Sequence, residues 1–232
     1  MQTQAAVLWD YGRDWEIEEL TLDDPREGEV LVRLAASGLC HSDEHLRIGD
    51  LPMESLPAIG GHEGAGTQVG LQQDGTARHH VGGHDARLMC QIGTFSPYTV
   101  VNEDSVGKID DDIPRDKAAL VTVDVTNGKV ISDAVSVVGK GGKVALTALA
   151  PYNLTDVQLP VLELIVYEKR LIGCLFGHSN PRSDVPKMLQ LYRDGKLLLD
   201  ELVTRTYTLD QINEGYEAMR THNNIRGMLL YD

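Results

Sequence analysis

The first hundred residues alternate short apolar runs with turns that contain glycine or proline. Residues 4–8 and 29–36 are rich in apolar and β-branched side chains and are bounded by turn residues, a pattern that predicts strands. Similar segments lie at 64–70 and 96–101. Only residues 42–48 favour a helix, because a serine that can cap it is followed by two acidic residues. This part of the chain is therefore predicted to be irregular and rich in β-strands.

After residue 116 the pattern changes to alternating strands and helices. Residues 120–125, 128–138 and 143–149 predict a strand, a helix and a strand, which is a βαβ unit. The strands of this unit are almost entirely apolar, as in parallel sheets covered on both faces. A strand at 170–176, a helix at 183–193, a strand at 202–207, a helix from Thr208 to about residue 222 and a strand at 226–231 follow. The predicted fold class is α/β.

Composition limits the partners of the chain. Its 232 residues include 21 Lys and Arg against 35 Asp and Glu, a net charge of −14, which disfavours binding to nucleic acid or to an anionic membrane surface. The longest apolar runs are far shorter than the roughly 20 residues that cross a bilayer. Three widely spaced cysteines suggest a reducing compartment, so a cytoplasmic location is expected.

The densest group of metal-binding side chains is Cys-His-Ser-Asp-Glu-His at residues 40–45, followed by Gly-His-Glu-Gly-Ala-Gly at 61–66. Thiolate and imidazole are zinc ligands, and a catalytic zinc takes three protein groups and leaves a fourth position open. Cys40 and His62 are candidate ligands, while Ser42 and His45 are suited to carry a proton. A single Cys and a single His in glycine-rich loops also occur as structural residues.

Taken together, these two segments resemble the zinc-dependent medium-chain alcohol dehydrogenases. Residues 4–8, 28–32, 117–120 and 141–144 also match in the order of that family. Among its subgroups the chain looks most like the actinobacterial nicotinoprotein, or N,N-dimethyl-nitrosoaniline-dependent, type. The segments that carry this closer resemblance are residues 40–45 and Leu-Phe-Gly-His-Ser-Asn-Pro-Arg at 175–182.

The resemblance implies that the chain has three structural segments and catalyses one reaction. Residues 1–120 would form a GroES-like catalytic domain, residues 121–180 part of a Rossmann-type doubly wound parallel sheet for the cofactor, and residues 181–232 a segment that returns to the catalytic domain. The implied reaction exchanges hydride between a primary alcohol or aldehyde and NAD at one catalytic zinc. A homo-oligomer is expected, because a shortened parallel sheet exposes an apolar edge.

The resemblance also implies roles for individual residues. Cys40 and His62 would bind zinc, Glu63 would lie just behind the metal, and Asp43 would orient the imidazole of His62. The remaining roles are a proton relay through Ser42 and His45, contacts to the cofactor phosphates from His41 and Arg226, and backbone facing the nicotinamide at Thr147, Leu149 and Phe176.

Several family features are missing from this sequence. The family has a cysteine shortly after the Ala-Ala-Leu segment at 118–120, but residues 121–125 here contain none, so a third zinc ligand is absent unless Glu63 or Asp43 supplies it. Cys90 stands alone where many members have four cysteines, so no structural zinc is expected. The Gly-x-Gly-x-x-Gly fingerprint is also absent, and the acidic residue that would distinguish NAD from NADP is missing with it. The glycines at 139–142 come after a helix and before a strand, so they predict a turn.

These gaps leave alternatives open. A natural internal deletion, a joining of segments from a longer chain, a deliberate shortening and a pseudoenzyme would all produce them. Three hypotheses follow. The chain is a zinc-dependent alcohol dehydrogenase, a non-catalytic, self-associating remnant that binds neither zinc nor NAD tightly, or a metal-independent reductase of the same superfamily. His79, His80 and His84 are predicted to lie in a solvated loop.

Overall fold

The chain forms two compact units, which a computed structural model describes for residues 1–63, 72, 74–106, 128–147, 152, 155–174 and 179–231. The larger unit contains Met1–Thr122 and Pro181–Asp232, and the smaller contains Val123–Asn180. Within the described ranges, every helix is too short or too polar to cross a membrane. The predicted strands at 64–70 and 120–125 lie outside the described residues.

The largest sheet of the larger unit is mainly antiparallel. Its order is β7 (His84–Asp85), β6 (His79–Val81), β2 (Glu16–Leu22), β1 (Gln2–Leu8), β5 (Ala58–Ile59) and β8 (Arg87–Leu88). β5 and β8 are parallel, with Ile59 opposite Leu88, so the chain leaves both strands in the same direction. The β1 prediction is confirmed, whereas β2 was not anticipated, since its Glu16, Glu18 and Glu19 obscure the apolar face.

Two smaller sheets complete the larger unit. β3 (Glu29–Arg33) pairs with β9 (Tyr98–Asn102), and the other sheet has the order β12 (Val203–Tyr207), β13 (Arg226–Leu230) and β4 (Ala36–Gly38). The predicted strand at 29–36 is thus divided between two sheets. The antiparallel pairing of β13 with β4 places the residues around 226 beside those around 39.

The described helices are α1 (His41–Ile48), α2 (Gly128–Val137), α3 (Val161–Val166), α4 (Pro181–Arg193) and α5 (Ile212–Arg220). The 3₁₀ turns are Met89–Gln91, Glu103–Ser105, Asp200–Leu202 and Leu209–Gln211. The prediction that Thr208 caps the α5 region is confirmed, because its side chain and that of Gln211 form a capping box. α4 is followed by Gly195 in the left-handed region, which also agrees with the prediction.

The core of the larger unit contains an aromatic cluster. The ring of Trp15 lies 5.4 Å from that of Phe95 and 6.2 Å from that of Tyr216, and all three side chains are buried. The Phe95 and Tyr216 rings are also 6.2 Å apart. The Phe95 ring lies directly beside Gly60, where an added Cβ would meet it at 2.8 Å. The cluster therefore supports the loop that follows β5.

A buried ion pair joins β3 to the segment before β6. The Arg78 guanidinium is fully buried and donates two hydrogen bonds of 2.8 Å to the carboxylate of Glu29. A further bond of 2.7 Å reaches Asp74. Removing one partner of such a pair leaves a buried charge uncompensated, so this contact is a strong constraint on the fold.

The histidines next to this ion pair do not form one solvated loop. His79 lies in β6 and is 1% exposed, with Nε2 3.0 Å from Thr99 Oγ1. His80 lies between Asp23 and Asp85, and only His84 is exposed. The prediction was wrong for His79, because pairing of β6 with the distant β2 buries it.

The smaller unit contains two parallel strands among its described residues, β10 (Lys143–Leu146) and β11 (Arg170–Gly173). This confirms that the second half of the chain forms parallel sheet. The buried Lys169 ammonium donates to the Val135 carbonyl at 2.8 Å and to Glu163 at 2.7 Å, which ties α2 to α3. α3 was not predicted, and its Leu162 and Ile165 side chains are 74% and 70% exposed.

Candidate metal centre

The N-terminal end of α1 supplies the first arm of the site. Cys40 is the N-cap residue, with extended backbone and no side-chain capping bond, so the prediction that Ser42 caps this helix was wrong. The Cys40 thiol instead donates to Ser42 Oγ at 3.6 Å. Cys40 and Asp43 are three residues apart and therefore lie on the same face. Cys40 and Asp43 are both buried, so this face points into the protein.

The loop after β5 supplies the second arm. The Gly61 N–H donates a 2.6 Å hydrogen bond to Asp43 Oδ1. Gly61 has a φ of 86°, and an added Cβ would overlap the Thr94 hydroxyl, so only glycine suits this position. The following residue, His62, is thereby held with Nδ1 3.1 Å from Asp43 Oδ2.

These two arms bring three metal-binding side chains together. One ligand atom from each of Cys40, Asp43 and His62 lies within 4.8 Å of the others. Asp43 Oδ2 and His62 Nδ1 are buried, and their 3.1 Å approach lacks hydrogen-bond geometry, so each atom has no hydrogen-bond partner. Thiol, imidazole and carboxylate are the donor set that zinc prefers. The residues present therefore fit a zinc ion.

The charges around His62 favour its protonated form when no metal binds it. Burial lowers the pKa of His62, but the carboxylate of Asp43 and the Cys40 sulfur outweigh burial and raise the pKa well above its usual value. A cation at this position is therefore stabilised by its surroundings.

Glu63 and Arg226 form an ion pair next to His62. The Arg226 guanidinium donates to Glu63 Oε1 and, at 3.2 Å, to the Leu39 carbonyl. Burial raises the pKa of Glu63 to about 7, although Arg226 and His62 act in the opposite direction. The Glu63 carboxylate occupies the space above Gly38, where an added Cβ would overlap it. Arg226, predicted to contact a cofactor phosphate, is thus bonded to Glu63 in this structure.

The predicted relay residues lie on one side of α1. Ser42 and His45 are three residues apart, and Ser42 contacts the Cys40 sulfur. His45 Nδ1 lies 3.1 Å from Asp50 Oδ2, and the Asp50 side chain is 31% exposed. His41, the first residue of α1, is exposed.

The predicted cofactor residues are only partly described. Thr147 directly follows β10 and is exposed, whereas Leu149 and Phe176 lie outside the described residues. The glycines at 139–142 form a turn, as predicted. The Gly142 N–H donates to the Gly139 carbonyl at 2.9 Å, and the Gly141 N–H donates to the Tyr167 carbonyl at 2.7 Å. A pyrophosphate needs free N–H groups at a helix N-terminus, so this turn does not fit a dinucleotide.

Two residues whose thiol or hydroxyl is influenced by the charges of the centre were not predicted to belong to it. Cys90 lies in the 3₁₀ turn after β8, and the charged groups that act on its thiol are those of His62, Asp43 and Cys40. The buried hydroxyl of Tyr216 has no hydrogen-bond partner, and the Asp43 charge also acts on it. No sequence motif around Cys90 or Tyr216 marks either residue as part of the site, because pairing of distant segments brings them there.

Comparison with known proteins identifies the family. The alcohol dehydrogenase GroES-like domain matches residues 26–111. The chain is 31% identical to the NDMA-dependent alcohol dehydrogenase of Amycolatopsis methanolica, covering 100% of this chain and 99% of the relative. It is 28% identical to alcohol dehydrogenase B of Mycobacterium tuberculosis, with the same coverage. The benzyl alcohol dehydrogenase of Acinetobacter calcoaceticus has a similar fold, with a TM-score of 0.89, 17% identity and complete coverage of both chains.

The chain belongs to the medium-chain alcohol dehydrogenase family, whose members are oxidoreductases. This confirms the family resemblance and the predicted α/β class with a GroES-like domain and a partial Rossmann-type sheet. The alignment with the Amycolatopsis protein spans 369 positions, whereas this chain has 232 residues. More than a third of those positions therefore have no residue here, which agrees with the predicted loss of internal segments.

Proposed function

We propose that this chain is a zinc-dependent oxidoreductase that interconverts a primary alcohol and an aldehyde. The observation that carries the proposal is the group formed by Cys40, His62 and Asp43, with two buried polar atoms that lack hydrogen-bond partners. Bound zinc would act as a Lewis acid on the oxygen of the substrate. Three cysteines outside disulfides also support the proposed cytoplasmic setting.

Cys40 and His62 would hold the zinc, and Asp43 would position the imidazole. Asp43 already accepts the Gly61 N–H through Oδ1 and faces His62 Nδ1 through Oδ2. That arrangement leaves Nε2 of His62 as the nitrogen for the metal. A carboxylate that fixes the orientation of a ligating histidine strengthens metal binding.

Ser42 and His45 would carry the proton of the substrate alcohol away from the site. Ser42 is 5% exposed and contacts the Cys40 sulfur, so its hydroxyl lies beside the proposed metal ligand. His45, one turn along the same face, is paired with the partly exposed Asp50. The pair therefore offers a path from the buried centre to solvent.

The hydride acceptor is proposed from the family resemblance alone. NAD suits the reaction, and one solved neighbour is a complex with NADH. The Gly141 and Gly142 amides of the 139–142 turn are hydrogen-bonded within the smaller unit, so this turn offers no pyrophosphate site and no step is assigned to the dinucleotide. A homo-oligomer remains part of the proposal, supported by the exposed apolar side chains of α3.

Replacement of His62 by Ala tests the metal site. We expect the variant to lose bound zinc and alcohol turnover, both measured on the purified full chain. His84→Ala is the matched control, because His84 is exposed, lies in the edge strand β7 and is not part of the metal-binding group. His45→Gln should slow turnover while zinc remains bound. Unchanged zinc content in the His62 variant would refute the proposed role.

A second candidate function is a non-catalytic, self-associating remnant. It is favoured by the aligned positions that this chain lacks and by the exposed Leu162 and Ile165 of α3. Native mass spectrometry separates the two candidates. An oligomer that carries neither zinc nor NAD favours the remnant, whereas zinc carried with the chain favours the enzyme.

A further inference from the structure

The proposed zinc site has two firm protein ligands, although catalytic zinc takes three. Asp43 Oδ1 accepts the Gly61 N–H, and Asp43 Oδ2 lies 3.1 Å from His62 Nδ1 without hydrogen-bond geometry, so Asp43 orients the imidazole and is not counted as a ligand. Glu63 is held by the Arg226 guanidinium next to the centre. Both carboxylates thus have positioning roles, and among the described residues Cys90 offers a further thiol whose surroundings include the charges of this centre.

The backbone brings Cys90 beside this gap. β5 and β8 are parallel, with Ile59 opposite Leu88, and the chain leaves them toward His62 and Cys90 respectively. Downstream, the Phe95 and Thr94 N–H groups donate to the Gly60 and Gly61 carbonyls at 3.1 and 3.2 Å. The turn that contains Cys90 is thus attached on both sides to the loop that carries His62.

The conformation of Cys90 is also unusual. Its φ of 51° and ψ of 25° lie in the left-handed region, which residues other than glycine rarely adopt. Such strain persists where the surroundings impose it, and it is concentrated at functional sites. The charges that act on the Cys90 thiol belong to His62, Asp43 and Cys40, which are the members of the metal group.

We propose that Cys90 is the third protein ligand of the zinc centre, completing a Cys-His-Cys set with Cys40 and His62. The inference rests on the proposed zinc site. Independent evidence for a ligand here is the fully buried Asp43, whose Oδ2 has no hydrogen-bond partner. The Cys90 sulfur is not one of the atoms within the 4.8 Å group, so its side chain must close on the ion. On binding, the thiol loses its proton to solvent and the thiolate takes the metal.

Cobalt substitution counts the thiolates directly. Co²⁺ bound by the full chain has a near-ultraviolet thiolate-to-metal charge-transfer band whose intensity rises with the number of thiolate ligands. We expect Cys90→Ser and Cys40→Ser each to remove about half of this intensity and to weaken zinc binding by about tenfold or more. Cys174→Ser is the matched control, because Cys174 is a half-buried cysteine in the other unit. It should change neither property.

Three results would overturn the inference. If Cys40→Ser abolishes the band and Cys90→Ser leaves it unchanged, Cys90 is not a ligand and the zinc site stands without it. A wild-type chain that binds neither metal refutes the zinc site together with this ligand. If Cys90→Ser does not fold, alkylation of the wild-type chain decides the question. Zinc should then protect Cys40 and Cys90 but not Cys174, and an unprotected Cys90 contradicts the proposal.

Discussion

Replacement of Arg226 by Met separates two roles for this arginine, a cofactor contact and a partner for Glu63. The Glu63 side chain is 1% exposed and the Arg226 side chain 15% exposed, so the variant leaves a buried carboxylate without its charged partner. Breaking a buried pair on one side costs about 3 to 5 kcal/mol. Because the pKa of Glu63 is about 7 even with Arg226 in place, its carboxyl takes up a proton near neutral pH once Arg226 is removed. We therefore expect a small loss at pH 7 and a loss of about 3 kcal/mol of unfolding free energy at about pH 9, where the wild-type carboxylate is charged.

The companion variant is Glu63→Gln, which removes the charge and keeps the shape. Arg226 can still bond the Leu39 carbonyl, so the expected loss is only about 1 to 2 kcal/mol. In the double variant Arg226→Met/Glu63→Gln, no unpaired carboxylate remains. The double variant should therefore be more stable than the sum of the single losses predicts, by about 2 kcal/mol.

Urea unfolding at about pH 9, followed by tryptophan fluorescence, measures these differences, because Glu63 is ionised there and Trp15 lies in the core of the same unit. Arg205→Met is the control, since Arg205 is an exposed arginine of β12 and should change stability by less than about 0.5 kcal/mol. Additive losses in the double variant, or an Arg226→Met variant as stable as the control, would show that the two side chains are not energetically coupled.

Three further predictions concern the larger unit. Arg78→Met should cost about 3 to 5 kcal/mol by urea unfolding, whereas Arg26→Met, at an exposed pair, should cost under about 1 kcal/mol; equal losses would contradict the buried-pair argument. Burial and the neighbouring His80 hold the pKa of His79 in the folded protein at about 3, against 6.5 for a free histidine. The contribution of neutral His79 to the free energy of unfolding is therefore complete above pH 6.5 and is lost as pH falls. Stability should drop by about 3 kcal/mol over the first two pH units below 6.5, and His79→Gln should flatten this dependence; parallel curves would refute it. Gly61→Ala should weaken zinc binding and cost more unfolding free energy than Gly12→Ala, because both have positive φ but only the first Cβ meets atoms within 4 Å, and equal effects on both measurements would exclude the close-packing explanation.

Local sequence patterns correctly predicted those helices and strands that are specified by their own residues or by the residues at their ends. β1 is an apolar run, the α5 region begins with a capping box, and α4 is followed by a left-handed glycine, so propensity and turn chemistry were sufficient. The two arms of the metal centre were likewise visible as motifs around Cys40 and His62.

Features that depend on pairing between distant segments were not predictable. The burial of His79 follows from the β2–β6 register, which no local pattern encodes. Cys90 stood alone in the sequence, since the β5–β8 pairing is what brings it beside His62. α3 has apolar side chains on its exposed surface, so its pattern resembles a buried segment rather than an amphipathic helix.

The pairing of β13 with β4 has a consequence for folding kinetics. Glu63 and Arg226 are 163 residues apart, and Met228 lies opposite Gly38. Contacts between such distant segments form late, because the entropy of closing a long loop is lost before the contact stabilises the chain. During synthesis, Glu63 therefore leaves the ribosome long before its partner exists. We expect the centre to remain immature in the nascent chain until β13 has been made and has docked.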